Sequence, residues 1–373
     1  MATKREEIIV VGAGLIGLCT AMMLGRLKFN VFLIDKNNIY SSKYMNKDSR
    51  TIAVSYGTKV LLEKHGIWKS ISPYVQPINI IKVFNRSPSS QILFDTKHKN
   101  NPMGYIVKNS IFKKVLISKI KKHKNIKIIQ ENRIVKTYHD NNHVYISTDK
   151  NLVLGAKVLI AADGKNSFIK SECNIPQYFF DYNQTSLTVN FQHQNNHNNT
   201  AYEIFLQNGP LATLPMKSSK QNQFRSSLIW TENNLIMNNY KKLKQKDLLK
   251  LIENKVSPYL GNIIKFENFK TFPLTAHICR RFYANRVVLI GDAAHSIHPI
   301  AGQGWNLGMR DIKYLIKIFL EYKKIGIDIG NFEVLKKYND ARYADISSMF
   351  FITHNLNKLF STRSKIVNKF TSL

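Results

Sequence analysis

The apolar residues of this chain fall into short runs broken by glycine, asparagine and lysine. EIIVV (7–11) is one such run and predicts a short buried strand. GAGLIG follows it, then an apolar helical pattern to about Leu27, then NVFLID (30–35), a second strand ending on an acid. Two distant runs read the same way. AKVLIAADGKNS (156–167) predicts a strand ending in Asp163-Gly164, and RVVLIGDAAH (286–295) a strand ending at Gly291-Asp292. A glycine-rich turn after the latter leads into a helical pattern from about Gly304. Other segments alternate instead: SLTVNFQ (186–192) and SSLIWT (226–231) predict strands of an antiparallel sheet. KKVLISKIKKHKNIKI (113–128), with Val115, Leu116, Ile117 and Ile120 among lysines, reads as one surface helix. MFFITHNLNKLFSTRSKIVNKF (349–370) mixes Phe and Leu with Lys and Arg at helical spacing, for docking on the core or for lying at a lipid surface.

IIVVGAGLIGLCTAMMLG (8–25) has the apolarity of a signal peptide or anchor. Glu6 and Glu7 spoil the positive flank, the run is at the short limit for a span, and its glycines have a better use. No other run approaches span length, so the expectation is a soluble or peripheral protein, cytoplasmic or on the inner face of a membrane.

The distant strands have to join the first sheet, which makes the larger domain discontinuous. We place it at 1–75, 102–178 and 272–373, with 76–101 and 179–271 forming a smaller antiparallel-sheet domain inserted into it. The whole is α/β. Hydrophobic residues make up 44% of the 373, enough for a sizeable core. Cys19, Cys173 and Cys279 are far apart and lack a CxxC spacing, which argues against a disulfide framework or a zinc finger. The charge balance is extreme, 55 Lys+Arg against 24 Asp+Glu. Only 12 of those 55 are arginines, and readers of phosphates and bases lean on arginine's bidentate fork. Compositional drift toward Lys, Asn, Ile and Tyr accounts for the excess better than nucleic-acid binding does; attraction to anionic lipid is the functional alternative.

The glycines define the first piece of chemistry. Strand, Gly12-x-Gly14-x-x-Gly17, helix, strand and Asp35, 21 residues after Gly14, form a dinucleotide-binding fingerprint in its proper context. Gly12 permits the tight turn, Gly14 lets a pyrophosphate approach the backbone, and Gly17 lets helix and sheet pack closely. The helix N-terminus offers N–H groups to the phosphates, and Asp35 offers oxygens to an adenosine ribose. This motif alone does not choose between NAD and FAD. Asp292, 280 residues beyond Gly12, does bear on the choice. An NAD enzyme of this layout has no use for the DG and GD strands, whereas an extended FAD reaches elements far along the chain.

GxGxxG, the DG turn and the GD turn, in this order, resemble the flavin-dependent aromatic hydroxylases of the para-hydroxybenzoate hydroxylase fold. DSRTIAVS (48–55), GYIVKN (104–109), TAYEIF…GPLATLP (200–215) and GDAAHSIHPIAGQGWNLGMRD (291–311) are similar to segments of the ubiquinone-biosynthesis hydroxylases within it. The resemblance covers about residues 5–350. It implies a Rossmann-like FAD-binding domain with an inserted antiparallel-sheet substrate domain. It also implies Arg50 near the FAD phosphates, Asn109 beside the cofactor, Asp163 holding the DG turn, Asp292 on the ribityl hydroxyls, and the backbone of Gly302–Asn306 cradling the ring. With their neighbours, the expected cofactor-binding residues are Gly12, Gly14, Leu15, Ile16, Gly17, Asp35, Lys36, Arg50, Asn109, Asp163, Gly164, Gly291, Asp292, Pro299, Gly302, Gln303, Gly304, Trp305 and Asn306. Lys170, Trp305 and Ile204 depart from the pattern, standing where Arg, a smaller apolar residue and Arg are usual.

The implied activity is hydroxylation of the ring of a polyprenylated phenol or quinol through a flavin C4a-hydroperoxide. Its partners would be O2, an electron donor that is NAD(P)H or a protein, a membrane surface and other ubiquinone-biosynthesis proteins, with no nucleic acid. Alternatives are a halogenase or prenyl-lipid reductase of the same fold, or a non-catalytic flavin- and lipid-binding member of a complex. The spacing demands no acid, base or nucleophile. His295 and His298 lack a third ligand at complementary spacing, so no metal is expected, and His295 reads as a hydrogen-bonded structural residue. QHQNNHNN (192–199), with its His193…His197 pair, reads as an exposed hairpin connection.

Overall fold

The computed structural model describes residues 4–361 apart from 43, 45–47, 86, 97–100 and 219–222. The strands Ile126–Ile129, Val31–Ile34, Lys4–Val11, Val153–Ala161 and Val287–Leu289 lie side by side in that order, every neighbouring pair parallel. Numbered along the chain this is 3-2-1-4-5, the doubly wound arrangement. The four strands that end on sequence motifs are therefore consecutive in the sheet, and their motif-bearing ends point the same way.

The Leu15–Arg26 helix packs between this sheet and two other helices, Asn109–Ile120 and Gln303–Lys324. Ten of its residues are buried, on every side of it. That burial explains the apolarity of residues 8–25: the helix is enclosed by protein, and among the described residues no helix is long and apolar enough to cross a membrane.

The 113–128 segment departs from the expected single helix. The helix spans Asn109–Ile120 and stops at a turn in which the N–H of His123 donates to the carbonyl of Ile120. Ile126–Ile129 then forms the outer parallel strand. Lysines dominate the composition of the whole stretch, but IKII is a β-branched run behind an asparagine turn, and β-branched side chains favour the pleated conformation.

A nine-stranded sheet carries the 186–192 and 226–231 segments, within Gln177–His193 and Phe224–Asn233, paired antiparallel in register Leu187↔Trp230. One face, with Leu187, Val189, Phe191, Ile204, Leu211, Leu228 and Trp230, is covered by Met237, Leu248, Ile252, Val256 and Leu260 of the helices Asn234–Lys242 and Gln245–Leu260. Burying such side chains contributes about 1.5–3 kcal/mol each. The other face, through Ala201, Leu214 and Met216, meets Ala53, Ile78 and Ile106 of a three-stranded sheet (Thr51–Ser55, Gly104–Lys108, Gln76–Ile78). The expected boundaries at 178/179 and 271/272 fall inside two strands of the large sheet, Gln177–His193 and Lys270–Cys279, which pair from Gln177↔Cys279 to Thr188↔Lys270.

Residues 192–199 form no hairpin. Gln177–His193 pairs with Phe224–Asn233, Lys270–Cys279 and Ile263–Phe266, whereas Thr200–Leu206 pairs with Gly209–Met216 and Ile80–Asn85. The connection crosses between them, and its histidines are buried. His193 bonds the Asn195 carbonyl (2.8 Å) and the Ser226 hydroxyl (2.9 Å), and His197 accepts from the N–H of Asn199 (3.1 Å). Burial lowers the pKa of His193 to about 4. The polar flanks misled the reading because the packing partner, Phe224, lies far along the chain, its ring stacked on His193 at 6.4 Å.

Candidate functional site

At the end of the first strand Gly12 has φ +99°, and a Cβ there would lie 2.6 Å from the carbonyl oxygen of Ala162, at the DG turn. Gly17 presses its helix onto the Gly12 turn so closely that a Cβ would lie 1.8 Å from the oxygen of Gly12. Gly14, the N-cap of the Leu15–Arg26 helix, has no side-chain cap, and a Cβ added to it meets nothing within 4 Å. The backbone there is bare and faces open space, as an anion-binding helix N-terminus requires.

That space is a cleft of about 500 Å³ lined by Gly12, Gly14, Asp35, Lys36, Asp163 and Gly164 among others. Asp35 Oδ2 accepts from the N–H of Ala13 at 2.7 Å, and its Oδ1 accepts from the backbone and side chain of Asn37, both at 2.8 Å. A carboxylate has about four acceptor positions, so one is left for a ligand hydroxyl. Asp163 Oδ2 accepts from Phe168 N–H at 2.8 Å, while its Oδ1 is buried without a partner. Burial raises the pKa of Asp163, and Ser167 with nearby amides offsets part of that. Gly164 has φ +86° and nothing near its would-be Cβ.

The GD turn adjoins the first turn through Ile16, whose side chain fills the room a Cβ would need at Gly291 (3.2 Å) and Gly308 (2.6 Å). Only the backbone of Ile16 is left for a ligand. Asp292, outside the lining of the 500 Å³ cleft, is exposed, yet burial among protein atoms raises its pKa. Both hold at once when a carboxylate faces a deep concavity. Arg50 and Lys165 supply positive charge around it.

Asp48, Arg50 and Asn109 form a knot. Arg50 Nε donates to Asp48 Oδ1 (2.8 Å), Asn109 Nδ2 donates to Asp48 Oδ2 (2.9 Å), and Asn109 N–H donates to the Arg50 carbonyl (3.0 Å). Burial pushes Asp48 up, but Arg50 and Asn109 more than offset it and hold its pKa at about 2. Asp48 thus positions Arg50, which remains half exposed.

Gly302, at φ +60°, starts the Gln303–Lys324 helix, and a Cβ on it would lie 3.3 Å from that of Ala53; Gly304 has open space beside it. Pro299 is exposed and its carbonyl accepts from Gly302 N–H at 3.0 Å. The Asn306 side chain is committed to protein. Its Oδ1 accepts from Ser55 N–H (3.0 Å) and Thr58 Oγ1 (2.9 Å), and its Nδ2 donates to the Ala53 carbonyl (2.9 Å). It fastens the helix start to the Thr51–Ser55 strand. Asn306→Leu leaves the Ser55 amide and the Ala53 carbonyl without this partner, so a loss of about 1–3 kcal/mol in urea unfolding is expected; an unchanged midpoint would contradict that role.

Trp305 packs edge-on against Phe112 at 5.7 Å. Lys170 is buried, donating to the Lys165 carbonyl (3.0 Å) and Gln177 Oε1 (2.7 Å). Ile204 sits in the core on the helix-covered face. His295 contacts buried Asp311 at 2.7 Å, and Asp311 also accepts from Gly291 N–H (2.9 Å) and Arg342 Nε (2.8 Å). Asp311, the last residue of the 291–311 segment, and Arg342 hold the GD turn, and Arg342 belongs to no recognisable spacing. Asn132 and Arg133, which line the Asp35 end of the cleft, come from a loop with no motif. Asp48 was the missed residue with a signal, two positions before Arg50. Among the described residues no group of three or more His, Cys, Asp or Glu is placed to hold a metal, and all three cysteines are free.

A bare helix N-terminus between two acid-bearing strand ends, continued by a third turn and a glycine loop, defines a protein that takes an extended dinucleotide, and the residues present fit one. The chain belongs to the FAD binding domain family, whose model matches residues 5–344. It is 28% identical to the ubiquinone hydroxylase UbiL of Rhodospirillum rubrum, over 96% of this chain and 83% of that protein. It is 29% identical to the mitochondrial ubiquinone biosynthesis monooxygenase COQ6 of Dictyostelium discoideum, over 97% and 86%. The 3-demethoxyubiquinol 3-hydroxylase of Escherichia coli is 26% identical over 92% and 87%. Among solved structures, PqsL of P. aeruginosa in complex with 2-aminobenzoylacetate superposes with a TM-score of 0.82 at 16% identity, covering 99% of this chain and all of that one. The p-nitrophenol 4-monooxygenase PnpA of Pseudomonas putida gives 0.79 at 17%, covering 100% and 94%. At these identities the structures speak for the fold.

Proposed function

We propose that this protein is an FAD-dependent monooxygenase that hydroxylates the aromatic ring of a polyprenylated phenol or quinol in ubiquinone biosynthesis. The observation that carries the reading is a cleft of bare glycine backbone between acid-bearing strand ends, in a chain that matches the FAD binding domain family and aligns over nearly its whole length with ubiquinone hydroxylases. FAD, when bound, would supply the redox chemistry: two electrons from NAD(P)H or a protein donor, one atom of O2 into the substrate ring and the other released as water.

The chain's own residues bind and orient. Gly12, Gly14, Leu15, Ile16 and Gly17 offer backbone to the diphosphate, with Arg50 as its countercharge, and Asp35 and Lys36 flank the adenosine ribose. Asp163 and Gly164 line the cleft, and Asn109 lies beside the cofactor. Gly291 and Asp292 meet the ribityl chain. Pro299, Gly302, Gln303, Gly304, Trp305 and Asn306 form the ring seat, where the positive end of a 22-residue helix favours negative charge on the reduced ring. The large sheet would face the ring on one side and keep water from the phenol, which suppresses loss of the activated oxygen. A prenylated substrate places the work at a membrane surface, on its inner face, alongside other proteins of the pathway.

Purified protein should carry a flavin spectrum and, given a donor, a prenylated phenol and isotope-labelled O2, yield a product one labelled oxygen heavier by mass spectrometry. It should also restore ubiquinone in cells blocked at one of the ring hydroxylations. Donor oxidation that is independent of the phenol and yields no oxygenated product would overturn the reading.

A further inference from the structure

A second cavity, of about 360 Å³, is lined from the Gly104–Lys108 strand, the end of the Gly209–Met216 strand and the start of the Phe224–Asn233 strand. It shares no lining residue with the dinucleotide cleft. Ile111, Met216 and the half-exposed ring of Tyr74 give it apolar walls. Its charged lining residues are Lys108, Lys217 and Arg225, and no Asp or Glu lines it. An apolar pocket with a few convergent polar groups of one sign suits a ligand of the other sign.

The protein itself does not use up these cations. Glu267 accepts from Lys108 Nζ (3.0 Å), from Arg225 Nη2 and from Asn190 Nδ2 (3.0 Å). One carboxylate thus answers two cations, and Lys217 has no ion-pair partner among the described residues. Arg225 is also short of an acceptor. Its side chain is 18% exposed, yet its Nε is buried with no hydrogen-bond partner. A buried donor left unpaired is costly, and a ligand oxygen would satisfy it.

The cavity adjoins the proposed ring seat. Ile106, also in its lining, pairs with Ala53, whose Cβ lies 3.3 Å from where a Cβ on Gly302 would be. Ile111 directly precedes Phe112, whose ring packs against Trp305. Asn190 ties the Glu267 cluster to the Arg50 segment by donating to the Ser49 carbonyl at 3.0 Å.

We propose that this cavity takes the acid group of one of the reactants, a carboxylate or phosphate carried on an apolar or aromatic body. Arg225 Nε and Lys217 meet its oxygens, and Tyr74, Ile111 and Met216 meet the body. The proposal rests on the monooxygenase reading for its two sources. One is a phosphate of a nicotinamide donor; the other is a carboxylate still borne by the ring of the prenylated phenol.

Calorimetric titration of the flavin-loaded chain with para-butylbenzoate, and with para-butylbenzyl alcohol as its uncharged counterpart, tests the cavity without turnover. The acid should bind about tenfold more tightly than the alcohol, and less tightly as salt rises. Arg225→Met should cost the acid about tenfold and leave the alcohol and the flavin spectrum unchanged. Should that variant not fold, Lys217→Met, at an exposed residue, should still weaken the acid several-fold. Equal binding of acid and alcohol, or folded variants that bind the acid as the unmodified chain does, would overturn the proposal. Competition then assigns the source. Displacement of the benzoate by NADPH makes the group the donor's phosphate, and displacement by a prenylated para-hydroxybenzoate makes it the ring's carboxylate. Displacement by neither also overturns the proposal. A chain that purifies without flavin yet binds the benzoate through Arg225 sinks the monooxygenase reading and leaves the acid site standing.

Discussion

Gly14→Glu should give a folded chain that purifies colourless. At Gly14 the backbone has φ −63° and ψ 177°, which any residue adopts, and an added side chain meets nothing within 4 Å, so folding has no steric objection. The new carboxylate, however, lies in the cleft at the uncapped N-terminus of the Leu15–Arg26 helix, where the proposed site puts the dinucleotide phosphates. It occupies the N–H groups and repels the phosphates. A loss of at least 100-fold in FAD affinity is expected, about 3 kcal/mol. Titration with FAD followed by flavin fluorescence measures it, with circular dichroism as the control for folding. Gly17→Ala, three residues on, should do the opposite. Its methyl would sit 1.8 Å from a backbone oxygen, so the fold itself suffers and flavin is lost with it. If Gly14→Glu kept its colour, the phosphates would have to bind elsewhere.

The second large effect is expected far from any ligand. Arg342 and Asp311 are both fully buried, joined at 2.8 Å, and Asp311 also takes the amide of Gly291 and the ring of His295. Burial pushes the pKa of Asp311 up; His295, Arg342 and the Gly291 amide more than offset it and hold it below the usual carboxylate range. Arg342→Met keeps the volume and removes the guanidinium from a buried carboxylate, leaving it only His295 and the Gly291 amide, which costs about 3–5 kcal/mol. Urea unfolding at neutral pH reads that loss directly. Because the folded pKa of Asp311 is depressed, the stability it brings is fully present above the unfolded value of about 4 and is lost as pH falls through the folded value. The gap between the native chain and the variant should therefore narrow on acidification. A gap that stayed constant down to acid pH would mean that Asp311 does not carry the effect.

These two predictions also separate what was legible in the sequence from what was not. Gly14 was legible because everything that defines it is local: a strand before it, a helix after it and an acid at the end of the next strand. Asp163 and Asp292 were legible for the same reason, each closing its own apolar run. The buried role of Asp311 was not, although it closes the 291–311 segment, since its partner Arg342 is 31 residues away and meets it only once the final helix packs across the GD turn. Asn306 carried a motif, yet its side chain serves Ser55 and Ala53, about 250 residues earlier.

The errors have the same origin. Residues 126–129 joined the parallel sheet because Val31–Ile34 offered an open edge, and nothing within a lysine-rich stretch announces that edge. His193 and His197 are interior residues because Phe224 closes over them, although their neighbours are asparagines. By itself the order of residues determined the strand ends, the glycine turns and hence the kind of ligand, since apolar periodicity and backbone freedom act over a few positions. Only the tertiary structure decided which charges are buried, which histidines are interior and which cations meet at one cavity. Burial depends on what packs against a side chain, and that partner is rarely its neighbour in sequence.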